Sequence, residues 1–328
     1  MDSPEVMIGK AATLSTSPVT TWLLMNAEQR REFIDLVHDQ SVMMKLAKTE
    51  DVIGQLDMAN YDITPGHITG GLAEGTAVAA ADQIVPVFGG RSLIPEAFDA
   101  QMLIGMQRLL HRNIRGASLM DDLINTMGSY LADGMEDIAI NSAVGGTGPA
   151  APAGAAPGYY TTIDGWRQKS MSGHIYDHLN GYISPALFLG MLATMPTKWR
   201  SPMYMSKMRF FTSIQIVDQY RDYLSRRTTP LGDLSISQEN QLMYAGIPII
   251  GVPHIGADTY PGALAYSGTT SGYGWVLLTM ADNLVVGWGP EIRLFMHPRE
   301  DGKIMCLNWW GEMDVQFPII DAVVTAVN

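Results

Sequence analysis

A chain of 328 residues, 47% hydrophobic and only 16% charged, can bury a large core as one big domain or two ordinary ones, and so low a charge suits a surface covered by other subunits. Its formal net charge of −12, with a pI near 4.9, argues against a phosphate-backbone binder, which needs a basic face. The one cysteine, Cys306, excludes an intrachain disulfide, the acidic start "MDSPEVMIGK" is no signal peptide, and no apolar run is long enough to span a bilayer, so synthesis and residence in a cytoplasm are expected.

Residues 1 to 25 lack a hydrophobic period and read as an extended arm. A helix is expected from Asn26, with Gln29 three residues on as a capping partner, to near Lys48; Phe33, Ile34, Val37 and Met44 fall on one face. Residues 50 to 98 hold strand-like pieces, few large apolar side chains and glycines at 54, 66, 70, 71, 75, 89 and 90. Such a stretch cannot build its own core, and a structureless loop this long is uncommon in a compact domain. A long β-hairpin packed on another chain resolves the difficulty.

The strongest helix signal runs from Ser118 to Ser142. Ser118 and Asp121 form an acidic cap, and Leu123, Met127, Leu131, Met135 and Ile138 make an apolar stripe. Gly128 and Gly134 lie inside it, each costing on the order of 1 kcal/mol relative to Ala, so tertiary packing must hold this helix and the glycines could admit a close neighbour. "GGTGPAAPAGAAPG" then reads as a flexible connection. It is no phosphate cradle: a P-loop precedes its helix, whereas these glycines follow one, at the negative end of its dipole beside Asp133, Glu136 and Asp137. Gly-Lys-Ser/Thr is missing as well.

The second half alternates helices and strands. Ser184-Pro185 caps a short helix that stops before Pro196. "PMYMS" reads as a strand. A helix follows with Ile214, Val217, Tyr220 and Leu224 on one face and Arg226 and Arg227 at its cation-favouring end. "LMYAGIPIIGVPHI" and "GWVLLTM" read as buried strands, the first near an edge because of Pro248 and Pro253. "EIRLFMH" alternates, and Asp301-Gly302 marks a hairpin turn into "KIMCLNWW". The fold class is α+β with mixed sheets.

Catalytic signatures are lacking. His174 and His178 are four apart, but the metalloprotease pattern needs Glu where Ile175 stands, and surface or interface histidines are the commoner outcome. Cys306 sits in an alternating strand, where a small buried filler is commoner than a nucleophile. There is no G-x-S-x-G elbow. No catalytic, cofactor-binding or metal-ligating residue is assigned.

The order of elements, with the stretches "IRGASLMDDLINTMGSYLADGMEDIAINSA", "RTTPLGDLSI" leading to "YAGIPIIGVPHI", and "LLTMADNLVVGWGPEIRLF", resembles the HK97-fold major capsid proteins of tailed bacteriophages. The resemblance covers nearly the whole chain. It implies an HK97-like α+β fold with an N-terminal arm (1–49), an extended E-loop hairpin (50–98), a P domain with the spine helix (99–172), an A domain (173–284) and C-terminal strands (285–328) returning to both domains.

The function it implies is non-enzymatic: self-assembly, through pentamers and hexamers, into an icosahedral shell around phage DNA. No cofactor, membrane or sequence-specific nucleic acid is involved. A portal protein and, on occasion, a decoration protein are the implied partners. With Met1 ahead of the arm and no long coiled-coil segment there, a separate scaffolding protein, or assembly without one, is expected. The implied location is the virion head, assembled in the bacterial host cytoplasm. Two alternatives remain: an encapsulin-type compartment, disfavoured by the long arm, and an α+β enzyme with an unrecognised site. Some members of the family lock their shells by joining an E-loop lysine to an asparagine on a neighbour, helped by a carboxylate. Here no lysine falls between Thr49 and Gln168, Arg91 cannot replace one, and Asn308 and Glu312 would have nothing to react with.

Overall fold

The computed structural model describes residues 23–24, 27–62, 87–105, 119–145, 158–178, 183–226, 242–256, 274–298 and 304–327. In chain order the first elements are β1 (Leu23–Leu24), α1 (Ala27–Gln40), β2 (Lys48–Asp51), β3 (Leu56–Asp62), β4 (Val87–Leu93), β5 (Glu96–Gly105) and the long α2 (Leu119–Asn141). Next come α3 (Trp166–Ser170), β6 (His174–Asp177), α4 (Pro185–Thr194), α5 (Pro202–Met205), β7 (Met208–Ser213) and α6 (Ile214–Ser225). The remainder is strand: β8 (Met243–Tyr244), β9 (Ile247–Val252), β10 (Val276–Met280), β11 (Val285–Trp288), β12 (Arg293–Pro298), β13 (Ile304–Gln316) and β14 (Val324–Val327).

Most expected elements are present, and the departures have identifiable causes. The first helix ends at Gln40 rather than near Lys48; a 3₁₀ turn over Met44–Leu46 follows, and Lys48 already opens β2. "PMYMS" is a short helix, not a strand. Ser201 precedes it and Pro202 opens it, as Ser184 and Pro185 do for α4, and proline at the first helical position is preorganised for a helix. On α6 the buried residues are Ile216 and Tyr220, with Val217 and Leu224 packed beside them, while Ile214 is exposed. The hydroxyl of Ser213 accepts from Ile216 N–H at 3.2 Å, which fixes the helix start one turn ahead of its apolar face. The caps expected at Asn26 and Ser118 and the Asp301-Gly302 turn lie outside the described residues. The pairing of Pro298 with Met305 brings β12 and β13 together as the hairpin requires.

Two six-stranded mixed sheets organise the chain. In the first the order is β1-β12-β13-β11-β2, with β5 on the other side of β13. The ten-residue ladder from Glu96–Met313 to Gly105–Ile304 makes β5 and β13 its backbone. In the second the order is β6-β14-β10-β7-β9-β8, so the last strand of the chain is inserted between β6 and β10. The hairpin β3–β4 stands apart as a two-stranded sheet. Leu23 and Leu24, within the stretch read as an extended arm, pair as β1 with β12 of their own chain.

The second sheet is buried on both faces, which explains its continuous apolar strands. Phe211 and Leu277 point into the core shared with α1, α2 and the first sheet, while Phe210, Val276 and Leu278 point into the core under α4 and α6. There Phe188 packs edge-on against Phe210 and Tyr220, each at 4.9 Å. Each such side chain, fully buried, contributes about 1.5–3 kcal/mol. On α2, Leu131, Met135 and Ile138 face the first core as expected. Its two glycines face neighbours, but a methyl at Gly128 or Gly134 would only touch Leu36 at 3.6 Å or the Tyr159 hydroxyl at 3.4 Å. Neither glycine is sterically required.

Candidate assembly site

Three sets of contacts hold the β3–β4 hairpin and α1 to the rest of the chain. The hairpin is rooted by three kinds of contact. Val52, Leu93 and Val285 form a small apolar cluster, flanked by Leu56 and Met58. Gly287 makes room for it: a Cβ there would lie 2.9 Å from Val52 and 3.2 Å from Leu93. Arg91 donates to the Ser172 hydroxyl at 3.1 Å, and Gln316 Nε2 donates to the Ser92 carbonyl at 3.0 Å.

Beneath these sits Asp314, 5% exposed. Its Oδ2 accepts from Ile94 N–H at 2.9 Å, and its Oδ1 accepts from Lys169 Nζ at 2.8 Å and from Val315 N–H at 2.7 Å. Lys169 also donates to the Val315 carbonyl. One carboxylate thus ties α3, β13 and the end of the hairpin together.

The first helix, α1, is held by a second set. Arg30 donates through Nη1 to the carbonyls of Gly289 and Pro290 at 3.1 and 3.0 Å, and pairs with Asp51 at 2.7 Å. His38 bridges two neighbours. Its Nδ1 lies 2.8 Å from the Met44 carbonyl, and its Nε2 lies 3.3 Å from Trp288 Nε1. A carbonyl can only accept and an indole N–H can only donate, so the neutral tautomer with a proton on Nδ1 fits both contacts. Burial, partly offset by the Met44 carbonyl and by Asp35 and Asp39, lowers the His38 pKa in agreement.

The third set gathers at the C-terminal end of α2, where sequence reasoning saw only unfavourable negative charge. Glu136 is 3% exposed, and its Oε1 accepts from the N–H groups of Val42 and Met43 at 2.8 and 2.6 Å, stopping the chain where the arm helix turns. Burial raises its pKa; the N–H of Met43, His254 and the N–H of Val42 oppose the shift. Asp137 accepts from the hydroxyls of Tyr160 and Tyr159 at 2.7 and 3.1 Å and from Asn141 Nδ2 at 2.7 Å. Burial and the charge of Asp137 push the Tyr159 phenol upward. His254, on the turn after β9, donates from Nε2 to Asp133 at 2.8 Å and stands 4.0 Å from both Glu136 and Asp137. Hydrogen-bond donors, His254 among them, therefore offset the helix dipole and join the segment after α1, α2 and the second sheet at one point.

The residues weighed for chemistry are not gathered. His174 opens β6 and His178 follows it. An extended chain separates residues four apart by about 13 Å, so the helical spacing that could share an ion is absent. Among the described residues no group of three His, Cys, Asp or Glu side chains could hold a metal. Cys306 is 4% exposed on β13. Asn308 accepts from Gln101 Nε2 at 2.8 Å, and Glu312 lies about 13 Å further along the same strand. No described helix is long and apolar enough to cross a membrane.

No family model matches the sequence. A curated protein of Bacillus subtilis (strain 168), described as "Putative prophage capsid protein YqbE", is 24% identical over 333 residues, covering 100% of this chain and 99% of its own. A chain of the satellite phage P4 procapsid superposes with a TM-score of 0.62 at 13% identity, over 99% of this chain and 98% of that one. The SrpI encapsulin of Synechococcus elongatus superposes with a TM-score of 0.55 at 11% identity, over 100% and 96%. The chain thus superposes over nearly its whole length on solved shell proteins, and it has the HK97-like α+β fold of phage capsid proteins.

Proposed function

We propose that this chain is a major capsid protein that assembles, through pentamers and hexamers, into the icosahedral head shell enclosing phage DNA. The observation that carries the reading is the end-to-end likeness, in fold to the P4 procapsid chain and in sequence to the B. subtilis prophage protein. We read residues 1–49 as the N-terminal arm, 50–98 as the E-loop, 99–172 as the P domain, 173–284 as the A domain and 285–328 as returning strands. Lys48–Asp51 and Glu96–Phe98 root the E-loop in the first sheet. The role is structural, not enzymatic. The shell's location is the virion, built in the host cytoplasm, with a portal protein and a separate scaffolding protein as partners and a decoration protein as an optional one. A net charge of −12 suits a wall that must not hold packaged DNA.

The encapsulin likeness supports a second reading, a cargo compartment on the same fold. Nuclease-treated particles separate the two: the capsid reading expects protected double-stranded DNA, whereas protected protein cargo and no DNA would favour the compartment.

The same particles test how the shell is held. Lysines stand at 10, 45, 48, 169, 198, 207 and 303, so the proposed E-loop offers no amine. Lys169, the first after it, is engaged by Asp314. Boiling in detergent under reducing conditions is expected to release a single band near 35.8 kDa. A persistent ladder of multimers would mean that a lysine outside the loop forms cross-links.

A further inference from the structure

Charge is spread unevenly along this acidic chain. Between Asp177 and Asp218 the sequence holds no Asp or Glu, yet it holds Lys198, Arg200, Lys207 and Arg209. These four fall on a 3₁₀ turn (Thr197–Arg200), on the turn after α5 and at the start of β7. Trp199 is buried and packs edge-on against Tyr204 of α5 at 4.9 Å, which pins the first turn to that helix. Lys198 lies over the Trp199 ring, 5.0 Å from its centre. Arg209 donates through Nη1 to the carbonyls of Ser206 and Met208 at 3.0 and 2.7 Å, so its fork is held in place. Lys198, Arg200 and Lys207 are exposed. Lys207 pairs with Asp282 at 3.0 Å, but both side chains are more than half exposed, so water screens the pair and a phosphate can displace it. The cations further on are neutralised within α6, Arg221 by Asp218 at 3.7 Å and Arg226 by Asp222 at 2.6 Å.

We propose that this cationic face binds the phosphate backbone of the enclosed DNA, whatever its sequence, and that α5 and the turns beside it therefore face the interior of the shell. The inference rests on the shell reading above. Lys and Arg that neutralise phosphates release condensed counterions, a gain that needs no contact with a base. Lys198 and Lys207 offer compact charges, and Arg200 and Arg209 offer planar forks that suit phosphate oxygens. With Arg209 already fixed, less freedom is lost on binding. A protein partner fits this surface less well. Met203, 71% exposed, stands among exposed Thr197, Lys198, Arg200, Pro202, Ser206 and Lys207, so the face lacks the apolar centre around which protein interfaces are built. With a net charge of −12 the chain as a whole repels a polyanion, which leaves this face as the place of approach. Contacts so few are salt-labile, so the wall touches DNA without holding it fast.

The test measures acetylation of each lysine by acetic anhydride, read by mass spectrometry, in DNA-filled particles and in the same particles emptied by osmotic shock and nuclease. Lys198 and Lys207 are expected to react severalfold less in the filled particles, and raised salt should narrow the difference. Lys45, whose side chain is 57% exposed, should react alike in both and serves as the control. In filled particles of the double variant Lys198→Glu, Arg200→Glu, Lys207 should lose most of its protection, an effect that a merely structural role for these exposed side chains would not give. Lys198→Gln with Arg200→Gln replaces that variant if it does not assemble. Equal reactivity in filled and emptied particles would overturn the proposal: high in both, the face is bare; low in both, it lies against a second copy or another shell protein. Absence of particles, or particles that protect no DNA, would overturn the shell reading itself, and the proposal with it.

Discussion

Replacing Asp314 by Ala is expected to lower the unfolding free energy of the subunit by about 3–5 kcal/mol, the cost typical of removing one partner of a buried ion pair. The side chains of Lys169 and Asp314 are only 15% and 7% exposed. Asp314→Ala strands the ammonium with the Val315 carbonyl alone and leaves Ile94 N–H without its acceptor. Lys169→Met should cost less, because the carboxylate keeps the N–H groups of Ile94 and Val315. Lys169→Met combined with Asp314→Leu should be milder than the sum of the two single changes, since a well-packed apolar pair leaves no buried charge uncompensated. Urea unfolding of unassembled subunits measures all of these. Hydrogen exchange at Ile94 should accelerate in Asp314→Ala and not in Lys169→Met. A loss below about 1 kcal/mol would mean that the pair behaves as a solvated surface bridge.

Glu136→Ala is expected to cost about 2–4 kcal/mol, because two N–H groups that now donate to one buried carboxylate oxygen lose their acceptor together. Glu136→Gln keeps a carbonyl oxygen for both and should cost under about 1.5 kcal/mol. The two variants also differ from the native chain in pH dependence. Burial holds the Glu136 pKa above the ordinary value of about 4.3. Between that value and the raised one, the folded state binds more protons than the unfolded state, so this residue's contribution to stability falls as pH rises through the window. The difference in stability between native protein and Glu136→Gln should therefore shift in favour of the native chain as pH drops through the same window. A flat difference would show that Glu136 titrates alike in both states.

How far these features could be read from sequence depends on whether they are local. The spine helix was legible because its apolar stripe and acidic start lie within one segment, and the helix opened by Ser184-Pro185 because its cap does. The end of the arm helix was misjudged because the group that stops it, Glu136, lies 94 residues from Val42. Its neighbours Asp133 and Asp137 made the cluster look like uncompensated charge, since no periodicity reveals His254 or the two tyrosines opposite. Lys169 and Asp314 likewise carry no signal in their own segments. "PMYMS" misled for another reason: five residues suit a strand or a single helical turn equally, and Pro202 after Ser201 decided for the turn. β1 was missed because a two-residue strand has no pattern of its own.

The central claim is that this chain closes into a shell, and electron microscopy of the purified full-length protein tests it most directly. The account predicts closed icosahedral particles whose wall, at sufficient detail, accommodates this fold with residues 50–98 laid over neighbouring subunits. A small discrete oligomer under all conditions, with that segment packed on its own chain, would contradict it.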